Sequence, residues 1–214
     1  MGSFLVLYPF FYITLKSGKY RWAHGLEKIW AYLIFLLPGI KVKIIKEGHI
    51  NPVKPYIYCP NHTSYIDVPL TRLALPGYYH YMGKAELLNS FFFRIFFKTM
   101  DIVVNRESVI SSHRAFVRAG QDLDKGIGVV LFPEGTISEK VPDLSEFKSG
   151  PFRLAIKHQV PVVPVSIIDN WKLLSDKSRL QGRPGKARII IHDPIETHGM
   201  TEENITQLKD TVYN

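Results

Sequence analysis

From residue 41 onward, short apolar runs of strand length alternate with longer stretches patterned as helices. No other feature restricts the fold as much. Residues 42–45, 56–59, 78–82, 101–104, 128–132, 161–168 and 187–192 read as strands. The run from Gly128 to Phe132 has no polar side chain, as expected of a strand covered on both faces. Helices are expected from about Asp67 to Leu75, over 86–98, through the segment that begins near Val109, over 150–159 with Pro151 in the first turn, and over 202–212. In the third of these, Val109, Phe116 and Leu123 recur every seven residues and mark the expected buried face, and Gly126 is placed to end the helix. Residues 138–147 read as a polar loop. Strands separated by helices predict an α/β sandwich, a single domain with a largely parallel, mixed sheet. The chain has 214 residues, 46% of them hydrophobic, enough for one sizeable core. On such sheets, sites form beyond the carboxyl ends of the strands.

Residues 1–40 read differently. Two uncharged runs, 2–15 and 29–40, flank a basic stretch, and each contains a proline, Pro9 or Pro38. A helix that crosses a bilayer needs roughly 17–25 apolar residues, more than either run supplies. No basic segment precedes the first run and no small-residue cleavage site follows it, so a signal peptide is not expected. Tyr8, Tyr12, Tyr20, Trp22, Trp30 and Tyr32 are aromatics of the kind found at membrane interfaces. Residues 1–40 are therefore expected to form two membrane-associating helices lying in one leaflet, ahead of a domain spanning 41–214. The alternative is a pair of buried core helices. The stretch 87–98, with five phenylalanines and two charges, allows the same two readings.

Lys and Arg total 27 against 19 Asp and Glu, a net charge of +8. That excess fits an anionic membrane, a phosphorylated substrate or nucleic acid. The nucleic-acid reading has only the charge behind it, with no recognition motif, and such a partner is not expected. The single cysteine, Cys59, excludes an intramolecular disulfide and a cysteine-based zinc site.

Three segments carry chemistry. In Asn61-His62-Thr63-Ser64-Tyr65-Ile66-Asp67, Asp67 would either cap the following helix or turn back to hold one imidazole nitrogen of His62, raising the basicity of the other. In Phe132-Pro133-Glu134-Gly135-Thr136, Gly135 permits a close backbone approach, and free amides with the Thr136 hydroxyl would suit an anion. The alternative is a solvated turn. Lys84, Arg106 and Lys148 each border an apolar element and would converge on one crevice or remain surface cations. Cys59 lies three residues before His62, which raises a cysteine–histidine acyl-enzyme, but it ends an apolar strand and reads as a small core residue.

Taken together, these segments resemble the PlsC-type 1-acylglycerol-3-phosphate acyltransferases over residues 42–168. NHTSYID resembles the first family block, GKAEL the lysine segment, MDIVVNR the second block, FPEGT with FKSG the third, and VPVVPVSI the fourth. Met100 and Val103 depart from the second block, and Pro151 stands where glycine or alanine is usual. The resemblance implies a phospholipid-synthesising enzyme that acylates lysophosphatidic acid, with His62 as general base and Asp67 as its orienting partner. Lys84, Arg106, Glu134, Gly135, Thr136 and Lys148 would bind the substrate. It implies no metal and no cofactor beyond acyl-CoA or acyl carrier protein as co-substrate. It places the protein on a phospholipid membrane, monotopic or peripheral at the cytoplasmic face of the cell membrane. Another lyso-lipid acceptor, or lipid binding without turnover, is the alternative.

Overall fold

The computed structural model describes residues 2–91, 93–175 and 182–214. In chain order the elements are α1 (Gly2–Lys16), α2 (Tyr20–Leu36), β1 (Lys41–Lys46), β2 (Ile57–Pro60), α3 (Asp67–Ala74), β3 (Tyr79–Lys84), α4 (Arg94–Thr99), β4 (Ile102–Val104), α5 (Val109–Asp124), β5 (Gly128–Val130), α6 (Gly150–His158), β6 (Val162–Ile167), α7 (Asn170–Leu173), β7 (Lys186–Ile191) and α8 (Ile205–Tyr213). The strands form one seven-stranded sheet in the order β1-β7-β6-β2-β5-β3-β4. Every neighbouring pair is parallel except β6 and β7. This is the expected α/β architecture with a largely parallel, mixed sheet.

Alternate residues of the central strands feed two cores. Tyr58, Val130 and Val163 point to the side covered by α2 and α3, while Ile57, Cys59, Val129 and Val162 point to the side covered by α5, α6 and α8. Strands buried on both faces have no polar side to show, which accounts for their uniformly apolar sequences.

Three helices depart from expectation. The single helix expected over 86–98 is a 3-10 turn, Ala85–Asn89, followed by α4 after a break at Ser90, whose backbone is extended. Asn89 and Ser90 are weak helix formers that favour turns, which explains the break; Phe92, within that span, lies outside the described residues. In α5, Val109 is exposed and the buried stripe runs through Ala115, Ala119 and Leu123, so the seven-residue repeat misplaced the first turn. The last helix opens with a 3-10 turn, Glu202–Asn204, closed by a capping box between Thr201 and Asn204.

The N-terminal helices use one face for burial. Phe4, Phe11 and Leu15 of α1 and Ala23 of α2 pack with Ile95, Phe96 and Met100 around α4. On α2, Glu27 is buried and lies 3.0 Å from the guanidinium of Arg72 on α3. Arg72 is itself 2% exposed and packs against the rings of both Tyr79 and Tyr81, 4.6 and 4.5 Å from their centroids. Other residues of the same two helices, including Leu5, Val6, Phe10, Ile13 and Trp22, are exposed. The buried-core reading thus holds for one side of the pair, and the other side is apolar and exposed.

Arg72→Ala strands Glu27 in a dry interface and leaves a gap beside two tyrosine rings. A loss of about 3–5 kcal/mol is expected from breaking a buried pair, read as a lower urea midpoint. Arg72→Lys is expected to restore little, because an ammonium lacks the planar face that stacks on aromatic rings.

Candidate active site

Strands β2 and β5 are parallel neighbours, so the loops that leave their carboxyl ends emerge side by side. One loop carries His62 and Asp67, the other Glu134, Gly135 and Thr136. The structure brings these residues together with Lys84, Arg106 and Lys148.

Asp67 opens α3 and is fully buried. Its Oδ2 accepts the backbone N–H of Thr63 at 2.5 Å and of Ser64 at 2.7 Å, and lies 2.9 Å from His62 Nδ1. Its Oδ1 accepts from Asn170 Nδ2 at 2.7 Å. The Oδ2 bonds turn the carboxylate back over the loop that precedes α3, while the residue at the helix N-cap, Ile66, makes no side-chain capping bond. Of the two sequence alternatives, the structure shows the carboxylate turned back on the imidazole. Pro69 falls in the first turn of α3, where its missing N–H has no helical acceptor to lose. With main-chain and amide donors already on the carboxylate, Nδ1 of His62 takes the donor role, which leaves Nε2 as the free acceptor. The imidazole also stacks on Phe132, ring centroids 4.2 Å apart.

Glu134 is buried, and both of its oxygens are taken by backbone amides: His62 N–H at 2.7 Å and Ser145 N–H at 2.8 Å. Burial pushes its carboxyl above the usual range, while those two hydrogen bonds oppose the shift. It ties the histidine loop to the segment leading to Lys148.

The cations gather on the neighbouring turn. Gly135 has φ +79°, and a Cβ there would lie 3.2 Å from Lys148 Nζ and 3.4 Å from a terminal guanidinium nitrogen of Arg106. Lys84, the last residue of β3, donates from Nζ to Thr136 Oγ1 at 3.4 Å. Among the described residues none of the three forms an ion pair. Burial draws the Arg106 guanidinium below its ordinary value, with Glu86 opposing. Without a carboxylate partner, these cations gain by meeting an anion. Among the described residues, no three His, Cys, Asp or Glu side chains gather as a metal site would require.

The profile of the family described as Acyltransferase matches residues 41–168. The chain belongs to the acyltransferase family. It is similar to the 1-acyl-sn-glycerol-3-phosphate acyltransferase alpha of Mus musculus, 28% identical across 82% of this chain and 62% of that protein. It is 30% identical to a 1-acyl-sn-glycerol-3-phosphate acyltransferase of Chlamydomonas reinhardtii across 97% of this chain and 64% of the other. The chain thus spans a little under two thirds of the length of these two relatives. It shares its fold with PlsC, the 1-acyl-sn-glycerophosphate acyltransferase of Thermotoga maritima, with a TM-score of 0.75, 23% identity, and coverage of 98% of this chain and 92% of that one.

In this acyltransferase-family chain, Cys59 is buried in the core behind β2 and burial pushes its thiol well up. A thiol held protonated in that way is no nucleophile. Two residues that brace the site escaped the sequence reading. Asn61 closes a two-way bridge to β6, accepting Ile167 N–H at 2.6 Å and donating to Ile167 O at 3.0 Å. Asn170, fully buried, reaches Asp67 from the turn after β6. The one signal for Asn170 was an Asp-Asn pair just past an apolar strand, in the position where helices begin.

Glu134→Gln replaces an oxygen that accepts a backbone N–H with an amide NH2 that cannot. One of the two amides, of His62 or Ser145, is then left without its partner. A loss of about 1–3 kcal/mol in unfolding free energy is expected, together with displaced His62 ring resonances in NMR spectra.

Proposed function

We propose that the protein transfers a fatty acyl group from a thioester, acyl-CoA or acyl carrier protein, to the sn-2 hydroxyl of lysophosphatidic acid, giving phosphatidic acid. The observation that carries this reading is a histidine with Nδ1 held by a buried carboxylate, one loop away from three unpaired cations. The names of the relatives point to the same acceptor.

In this reading, Lys84, Arg106 and Lys148, with the Gly135–Thr136 turn, hold the acceptor phosphate, and Glu134 positions rather than binds. Nε2 of His62 takes the proton of the sn-2 hydroxyl as its oxygen attacks the thioester carbonyl. Asp67 stabilises the imidazolium that results. The tetrahedral intermediate collapses, the carbon–sulfur bond breaks, and the leaving thiolate takes the proton from His62. The ester forms in one displacement, with no acyl-enzyme and no cofactor beyond the donor.

The reading extends to a membrane. A helix of 15 residues such as α1 spans about 22 Å. No helix among the described residues is long and apolar enough to cross a bilayer. The exposed apolar side chains of α1 and α2 fit in-plane contact instead, with Lys16, Lys19 and Arg21 beside them to meet anionic headgroups. Peripheral attachment to the cytoplasmic face of the cell membrane follows, where acyl donors and the acceptor meet. Residues 1–40 are then the attachment segment, and 41–214 carries the chemistry.

Acyl transfer to lysophosphatidic acid in vesicles is expected from the wild type. His62→Ala should lower it by about 10²–10⁴-fold, the range of general-base catalysis. Equal turnover by the variant would reduce the histidine loop to a helix cap. Phe10→Asp with Ile13→Asp, one helical turn apart on the exposed side of α1, should reduce co-sedimentation with phospholipid vesicles while leaving the circular dichroism spectrum unchanged.

A further inference from the structure

The three cations at Gly135 lie on the β3–β5 side of β2, and they are not the only cationic group at this end of the sheet. Because β6 and β7 are antiparallel while β7 and β1 are parallel, the beginnings of β7 and β1 lie beside the carboxyl end of β6. Those beginnings are basic. The register pairs Lys41 with Lys186 and Lys43 with Arg188, so the side chains of these four residues share one face of the sheet. Lys172 of α7 joins Lys186 and Arg188 in lining a cavity of about 300 Å³, completed by Asp169 and Leu173.

Only Arg188 is neutralised. Its guanidinium grips Asp169 through two bonds, 2.5 and 2.8 Å long. Lys41, Lys43, Lys172 and Lys186 form no ion pair among the described residues. Helices α5, α6 and α8 cover that side of the sheet over its centre, while Lys41, Lys43 and Lys186 remain exposed over β1 and β7.

The patch is tied to the site. Ile168 N–H donates to Arg188 O at 3.1 Å, and the neighbouring Ile167 is bridged to Asn61, the residue before His62. Strand β7 is two strands from β2, about 10 Å at ordinary strand spacing. Helix α7 carries Lys172 on the patch and Asn170 on Asp67. His62 therefore lies between two cationic poles, one on each side of β2.

Acyl transfer to a lysophosphatidate joins two anionic substrates, and the pole at Gly135 suits the acceptor phosphate. We propose that the pole formed by Lys41, Lys43, Lys172 and Lys186 docks the acyl donor, and that this donor is an acidic carrier protein bearing the acyl group as a thioester. This inference rests on the function proposed above. The geometry favours a carrier over a nucleotide. Among the described residues the cavity lining has one apolar side chain, Leu173, and no aromatic ring, and the neighbouring Trp171 ring already carries Lys172 Nζ 5.1 Å from its centroid. The lysines spread across an open face two strands wide, which matches a protein surface. Exposed charges of this kind mainly steer encounter and set salt dependence.

The experiment compares wild type with the triple variant Lys43→Glu/Lys172→Glu/Lys186→Glu, whose folding is checked by its thermal transition. KM for long-chain acyl carrier protein should rise at least about tenfold. KM for acyl-CoA, KM for lysophosphatidic acid, and kcat should stay within about twofold. Surface plasmon resonance with purified acyl carrier protein, needing no turnover, should give salt-sensitive binding to wild type that the variant loses. Four results would overturn the inference: no carrier binding by wild type, unchanged carrier binding by the variant, equal losses with both donors, or a loss confined to binding of anionic vesicles. Carrier binding by a wild type that makes no phosphatidic acid would instead count against the acceptor proposed above and leave the docking surface standing.

Discussion

A carboxylate with no access to water must satisfy its lone pairs inside the protein, and the whole site is arranged around the way Asp67 does so. It collects two main-chain amides from the loop just before it, one ring nitrogen of His62, and the amide of Asn170 from beyond β6. Each bond fixes a different part. The amides close the loop into a tight turn, the ring nitrogen sets the imidazole orientation, and Asn170 ties the turn to the far strand. Glu134 does the same from the other side, taking His62 N–H and Ser145 N–H. The histidine is thus gripped by its ring through one buried acid and by its backbone through another, with Phe132 beneath the ring. An imidazole fixed this way needs little reorganisation to take up a proton.

Much of this was legible in the sequence, and the reason is local. Strands buried on both faces must be apolar throughout, so β2, β5 and β6 could be read directly, and the polar loops at their ends stood out by contrast. Parallel order then put the His62 and Gly135 loops side by side. What escaped reading depended on long-range geometry. Asn170 is 103 residues from Asp67, and no periodicity links them. The resemblance set Glu134 among the substrate-binding residues, and in the structure both of its oxygens accept backbone amides. The heptad spacing in α5 failed at Val109 because small side chains, Ala115 and Ala119, make the buried stripe there, and they carry little weight in a hydrophobic pattern.

The position of the charges follows from sheet order. A fully parallel sheet would put the starts of β7 and β1 at the opposite end from His62. The single antiparallel junction between β6 and β7 reverses them, so basic residues at strand beginnings arrive at the same end of the sheet as the His62–Asp67 pair. In the same way β3 and β4 deliver Lys84 and Arg106 from their carboxyl ends on the other side. Net charge alone says only that anions are welcome. Topology divides that charge into two groups with the histidine between them, an arrangement suited to a reaction with two anionic partners.

The N-terminal helices show why membrane-contact and core readings are hard to separate from composition. Neither helix could be stable with both faces wet, and α1 and α2 bury Phe4, Phe11, Leu15 and Ala23 against α4. Yet α2 also meets α3 through Glu27 and Arg72, and a buried ion pair of this kind fixes register at some cost in stability. A purely apolar contact between two greasy helices and a greasy α4 would tolerate sliding. The guanidinium, held against the Tyr79 and Tyr81 rings and paired with Glu27, favours one docking position of α2, and that position decides which apolar side chains stay outside. The exposed face of the hairpin is therefore set by a charged residue in the α/β body, so the orientation of the site relative to any surface the hairpin lies on is fixed by the same contact.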